Sequence, residues 1–180
     1  MRKEIRISGF GGQGVILSGI ILTQALGIYE NKRVAQTQSY GPESRGGSCK
    51  SEIVFSDTEI DYMKVDSPDY FLAFNEISYK KFLPVLVKDC YILIDQTFIK
   101  EINPEYKNIH KIFATRIAET KIKNIVANLV MLGAFARTSN VVSYESLQKA
   151  VKDIAPSAFY QMNLDALEIG YKEVDKNEML

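Results

Sequence analysis

The chain has 180 residues, about one typical domain: enough to bury a core and too few for two comfortable ones. Hydrophobic residues at 46% and charged residues at 24% match the averages of soluble globular proteins, which excludes the disordered and fibrous classes. Lys plus Arg (22) balances Asp plus Glu (22), so no chain-wide field draws nucleic acid or an anionic membrane, and neither is an expected partner.

Glu4 to Ser8 alternates with Ile5 and Ile7 apolar and predicts a first strand. Glycines interrupt it, and Val15 to Tyr29 then carries apolar residues at helical spacing. Val34 to Gln38 suits a short second strand, the Gly- and Pro-containing run Tyr40 to Gly47 a loop, and Cys49 to Phe55 a third strand. Tyr70 to Phe74 and Tyr91 to Ile94 are short continuous apolar runs, as in strands covered on both faces, with Glu76 to Leu83 helical between them. A strand at Lys111 to Ala114 precedes a largely buried helix over Lys121 to Arg137. Ser143 is placed to cap a helix over Tyr144 to Ile154, and Pro156 separates it from a last helix, Ser157 to Glu173. The expected fold is α/β: a single Rossmann-like domain over residues 1–174, a mostly parallel sheet with helices on both faces, and a loose tail over 175–180. No run approaches the ~18 apolar residues that a membrane span needs, and the chain enters its first strand directly, so a cytoplasmic location is expected.

Gly9-Phe10-Gly11-Gly12-Gln13-Gly14 fits G-x-G-x-x-G, between a first strand and the start of a first helix where that motif works. Glycines permit positive φ and close approach, and free N–H groups at a helix start favour an anion, so a phosphate or carboxylate is a reasonable guest. A dinucleotide site also wants an acidic residue at the end of the second strand, where this chain has Gln36, Thr37, Gln38 and Ser39. Tight helix packing or a protein interface is the other use of such glycines. Gln13 in this loop either reaches a ligand or braces a neighbouring subunit. The Tyr40 to Gly47 loop follows the second strand and is expected at the same carboxyl edge of the sheet. Within it, Arg45 is suited to bind a phosphate or carboxylate bidentately, and Glu43 to pair with Arg45 or with a partner chain; an exposed turn with a local ion pair is the plain alternative.

Other reactive residue types lack a catalytic setting. Cys49 and Cys90 have no second thiol or histidine beside them in sequence and read as reduced, buried thiols, so any iron–sulfur chemistry belongs to another chain. His110, the one histidine, has no motif around it and reads as surface or structural. Ser18 has no His or Asp at a recognisable spacing. Asp95, at a strand end, suits a helix cap or turn more than a ligand. Asn124 and Asn128 lie one helical turn apart and are expected to share a face, satisfying backbone groups or touching a neighbour.

GFGGQGV at Gly9 to Val15 and SYGPESRGG at Ser39 to Gly47 together resemble the two signature loops of the gamma subunits of 2-oxoacid:ferredoxin (acceptor) oxidoreductases. The resemblance continues through CKSEIVFSD at Cys49 to Asp57, the strand ending at Asp95, NIVANLVMLG at Asn124 to Gly133 and NLDALEIGY at Asn163 to Tyr171, nearly the whole chain. It implies oxidative decarboxylation of a 2-oxoacid by a multi-subunit enzyme: thiamine diphosphate attacks the acid, carbon dioxide leaves, electrons pass through 4Fe-4S clusters to ferredoxin or another acceptor, and coenzyme A takes the acyl group. It further implies that thiamine diphosphate and the clusters sit in the alpha, beta and delta subunits. This chain then completes the assembly, is inactive alone and helps shape the coenzyme A side of the site. The resemblance assigns Gly9, Gly11, Gly12, Gln13, Gly14, Tyr40, Glu43, Arg45, Gly46 and Gly47 to that side, with no catalytic residue and no metal ligand. It is greatest to the 2-oxoglutarate type, with pyruvate, 2-oxoisovalerate and indolepyruvate enzymes as alternatives. Outside the family, the glycine loop alone supports a stand-alone NAD(P)-binding protein or a non-catalytic scaffold.

Overall fold

A computed structural model of the chain describes residues 1–40 and 48–177. Its strands are β1 (Lys3–Phe10), β2 (Arg33–Ser39), β3 (Ser48–Ser56), β4 (Tyr70–Ala73), β5 (Tyr91–Asp95) and β6 (Ile109–Ile112). They form one sheet in the order β2-β3-β1-β4-β5-β6. β1, β4, β5 and β6 pair in parallel, whereas β3 runs antiparallel to both β1 and β2. Five strands therefore point the same way, and β3 alone is reversed. The mostly parallel α/β sheet expected from the sequence is present, with one strand inserted between the first two.

The helices are α1 (Val15–Gln24), α2 (Glu76–Phe82), α3 (Ala114–Lys121), α4 (Ala127–Ser139), α5 (Tyr144–Ile154) and α6 (Tyr160–Asn177). The period-2 alternation of the strands divides their side chains between two cores. Ile5, Ile7, Ile53, Leu72 and Leu93 face the core shared with α1, α3, α4, α5 and α6. Phe71, Ala73, Ile92 and Ile94 face a smaller one with Tyr79 of α2, Leu86, Ile99 and Tyr106. On that second face, β1 and β3 carry charge: the Arg6 Nε donates to Glu52 Oε1 at 2.7 Å, and the Arg6 Nη2 donates to the Val65 carbonyl at 2.8 Å. Both side chains are buried, so this pair takes the place of apolar packing under the 57–69 segment.

Several helix ends differ from expectation. The apolar stretch after Gln24 continues as a wider π-helical turn, Ala25–Tyr29, closed by the Glu30 N–H on the Ala25 carbonyl at 3.0 Å. α3 is not expected from the sequence, which ends a strand at Ala114 and starts the next helix at Lys121, because its signal is not local. Its preceding residue, Phe113, offers no side-chain cap, and the cap comes from Asp95, far away in sequence. The single helix expected over Lys121 to Arg137 is split at Ile122 and Lys123, and resumes through a short 3-10 turn at Asn124–Val126. Ser143 caps α5 as expected, accepting the Ser146 N–H at 3.1 Å. α6 runs to Asn177, past the expected end at Glu173, so the predicted tail starts as helix; its last three residues lie outside the described residues.

α4 and α6 cross at reciprocal glycines. A side chain at Gly133 would strike the Leu167 carbonyl, and one at Gly170 would strike the Val130 carbonyl. Small residues at the crossing let two helix backbones touch, and rigid backbone cannot yield to a methyl group. Gly133→Ala is expected to lower stability by about 1–3 kcal/mol, read as a reduced urea midpoint of the purified chain. An unchanged midpoint would contradict the close crossing.

Candidate functional site

The carboxyl ends of β1, β4 and β5 meet where the sheet order reverses: from β1 the chain crosses to β2 on one side and later returns to β4 on the other. Ligands of open α/β sheets bind at such a switch point. Here a cleft of about 250 Å³ opens, lined by Gly12, Gln13, Phe74, Asp95, Thr115 and Asn124 among others. α1 and α4 both begin at this edge, without an acidic residue in the first turn of either, so their N-terminal dipole ends favour negative charge here.

The glycine loop crosses the mouth of the cleft, and its four glycines do different work. Gly9 is packed: a Cβ there would lie 2.8 Å from Gln13 Oε1 and 2.9 Å from Phe74 Cβ. Gly14 is the N-cap of α1 at φ +74°, with Asn128 where a side chain would go. Gly12, at φ +94°, and Gly11 have nothing within 4 Å of the position a Cβ would take. The outer pair stands in open space, held by the inner pair.

Gln13, at the cleft, is held by three hydrogen bonds within the chain. Its Oε1 accepts the Phe10 N–H at 2.7 Å and the Asn75 Nδ2 at 2.8 Å, while its Nε2 donates to the Phe74 carbonyl at 3.3 Å. Asn75, which sequence reasoning passed over, also caps α2, its Oδ1 accepting the Ser78 N–H at 2.9 Å. The signal was present, since an Asn directly before a helical pattern is a preferred N-cap. Asp95 is committed in the same way: it accepts the Thr115 N–H at 3.0 Å, the Thr115 hydroxyl at 2.6 Å and the Thr97 N–H at 3.0 Å. It serves as the helix cap and turn expected of it.

Asn124 and Asn128 part company, because the helix break lies just before Asn124 and puts it in a 3-10 turn. Asn124 lines the cleft, while Asn128 is 1% exposed against Gly14 with its Nδ2 unpartnered. Ser18 is buried, its hydroxyl donating to the Gly14 carbonyl at 2.9 Å. His110 stacks on Tyr91 with ring centres 4.6 Å apart, in the last strand of the sheet. Tyr40, 62% exposed, leaves β2 at the carboxyl edge, and Ser48 opens β3 opposite Phe10. The loop between them thus departs from and returns to the edge that carries the glycine loop. Glu43, Arg45, Gly46 and Gly47 lie outside the described residues.

Nucleotide geometry is altered by β3. A ribose-binding acid belongs on the strand beside β1, and here that strand is the reversed β3, with Ser48, Cys49 and Lys50 at this edge. β2 stands one strand farther out, and Gln36 near its end donates to Ser51 Oγ at 2.9 Å. Among the described residues, no group of three His, Cys, Asp or Glu side chains is placed to hold a metal, and no helix is long and apolar enough to cross a membrane.

A family model described as pyruvate ferredoxin/flavodoxin oxidoreductase matches residues 4–173. The chain is 47% identical over 175 residues to the 2-oxoglutarate synthase subunit KorC of Methanocaldococcus jannaschii, covering 96% of this chain and 94% of that protein. It is 31% identical to the ketoisovalerate oxidoreductase subunit VorA of Methanothermobacter thermautotrophicus, where 97% of this chain matches only 37% of the longer protein. Among solved structures, the gamma subunit of a keto/oxoacid ferredoxin oxidoreductase from Geobacter sulfurreducens superposes with a TM-score of 0.89 at 36% identity, over 98% of both chains.

Two measurements check this geometry. Gln13→Leu leaves the Phe10 N–H, the Phe74 carbonyl and the Asn75 amide without their partner, and is expected to cost about 1–3 kcal/mol, with faster amide exchange in the glycine loop. Burial pushes the Cys90 thiol up to about 12 and raises that of Cys49, so both are neutral thiols near pH 8. A disulfide exchange reagent at pH 8 is expected to label neither thiol in the folded chain and both after denaturation.

Proposed function

The chain belongs to the pyruvate ferredoxin/flavodoxin oxidoreductase family, and from that premise we propose that it is the gamma-type subunit of a 2-oxoglutarate:ferredoxin oxidoreductase. Identity favours that acid: the 2-oxoglutarate subunit from Methanocaldococcus stands at 47% and the ketoisovalerate subunit at 31%. In the assembled enzyme, thiamine diphosphate and iron–sulfur clusters on the alpha, beta and delta subunits supply decarboxylation and electron transfer, and coenzyme A takes the acyl group. This chain's part is to bind and orient.

The observation that carries the reading is the bare pair Gly11 and Gly12 at the head of α1, beside a cleft whose helix ends favour negative charge. Coenzyme A offers phosphates that suit such a site and a slender amide-bearing arm that suits a narrow cleft. Gly9, Gln13 and Gly14 set the shape of the loop, while Gly11 and Gly12 let a ligand approach the backbone. From the neighbouring loop, Tyr40 supplies an aromatic face and Arg45 a bidentate partner for phosphate or carboxylate. Glu43, Gly46 and Gly47 complete that loop in the proposal. The domain is taken as residues 1–174, with the enzyme in the cytoplasm and ferredoxin or a related protein as acceptor.

Gly11→Val separates ligand contact from folding, because the added atoms meet open space in the isolated chain. Its stability is expected to stay within about 0.5 kcal/mol of the parent. In the purified, fully assembled complex, the KM for coenzyme A is expected to rise about tenfold, ~1.4 kcal/mol of lost binding, with the KM for 2-oxoglutarate unchanged. 2-Oxoglutarate is expected to exceed pyruvate and 2-oxoisovalerate in kcat/KM. Wild-type coenzyme A kinetics in a fully assembled variant would remove the glycine loop from the coenzyme A site.

A further inference from the structure

α1 is apolar on every side. Val15, Ser18, Gly19, Ile21 and Leu22 are buried inward, yet Leu17, Ile20 and the following Ile28 stand outward at 40%, 41% and 66% exposure. A helix that is hydrophobic all round belongs in an interior. Single exposed aliphatic residues are ordinary: Ile77 stands among Glu76, Lys80 and Lys81, Tyr62 and Met63 between Asp61 and Lys64, while Phe98 and Ile125 belong to the cleft described above. The α1 face differs in its charge. From Ile7 to Tyr29 there is no Asp, Glu, Lys or Arg, although 24% of the chain is charged.

The charge-free zone continues onto the sheet. β2, packed beside α1, is the last strand on its side, and after Arg33 it carries no charge through Ser39. A seven-residue edge strand without proline or a charge in its middle lacks two of the devices that keep exposed edges from pairing. The opposite edge strand, β6, has four residues and includes His110 and Lys111. Among the described residues, charge borders the zone, with Glu30, Lys32 and Arg33 at one end, Glu59 and Asp61 beside the start of β2, and Lys149 and Asp153 of α5 along one side. An apolar centre with a charged rim is the composition of a lasting protein interface.

We propose that the outer face of α1 and the adjoining edge strand β2 are the surface by which this chain docks on a large sister subunit; the inference rests on the subunit reading above. The occupant is identified by chain length. In the ketoisovalerate subunit, 97% of this chain matches 37% of a longer polypeptide, so this domain is there covalently joined to a larger partner. In the 2-oxoglutarate relative, the domain is a separate chain matched over 94% of its length. A unit that is fused in one relative and free in another needs a permanent, charge-poor interface when free, and the polypeptide corresponding to the rest of the longer relative is the partner it must hold.

The test is co-expression of this chain, tagged, with its alpha, beta and delta subunits under anaerobic conditions, using Leu17→Lys/Ile20→Lys and, as a control, Ile77→Lys/Val85→Lys. All four positions are exposed. The α1 variant is expected to melt like the parent when isolated and to lose at least about tenfold of the captured large subunit, ~1.4 kcal/mol or more, while the control captures it normally. In parallel, hydrogen exchange of the wild-type complex is expected to show protection of Arg33–Ser39 relative to the free chain, a readout that no misfolded variant can imitate. Normal capture by the α1 variant, equal loss in the control, unprotected β2, or a wild-type chain that pairs with itself through this face would overturn the inference and leave the subunit reading standing. A wild-type chain that captures no large subunit would overturn both.

Discussion

One side-chain amide, that of Gln13, fixes the shape of the glycine loop at the mouth of the cleft. Gln13 takes the Phe10 N–H and the Asn75 amide on its oxygen and gives its own N–H to the Phe74 carbonyl, tying the ends of β1 and β4 together across the point where the sheet reverses its growth. Parallel strands diverge there, and the gap between them is the general binding crevice of open α/β folds. With the strand ends fixed and Gly14 seated on Asn128, the loop has one way to cross the gap, and that way leaves Gly11 and Gly12 bare. Preorganisation of this kind spares a ligand the cost of ordering the loop.

The reversed strand β3 determines what kind of site this can be. It displaces β2 from the flank of β1, so the glycine motif lacks the neighbouring parallel strand that would hold a ribose acid in a dinucleotide site. The same reversal puts the end of β2 and the start of β3 at the edge that carries the glycine loop. Two loops with unusual glycine content thereby share one edge, beside a helix whose outer face has no charge.

Much of this was legible in the sequence. The alternation at Ile5 and Ile7, the continuous runs at Phe71 and Ile92, and the Ser143 cap each report a local periodicity or hydrogen bond, and each lies where expected. What escaped was non-local. α3 is capped by Asp95 from another element, the break at Ile122 has no glycine or proline to announce it, and nothing in Cys49 to Phe55 tells a reversed strand from a parallel one. At the site, the spacing of the glycines was readable, but the sorting of Gly9 and Gly14 as packed and Gly11 and Gly12 as open depends on Phe74 and Asn128, which are distant in sequence. Gln13 turned inward for the same reason: its three partners come together only when β1 and β4 lie side by side.

In the proposed division of labour, this chain binds and orients while its partners carry the chemistry. The most direct test compares 2-oxoglutarate- and coenzyme A-dependent reduction of a ferredoxin or dye by three anaerobic preparations: the full complex, the complex lacking this chain, and the chain alone. Turnover is expected from the full complex only. Turnover by the isolated chain, or full activity of the complex without it, would contradict the claim.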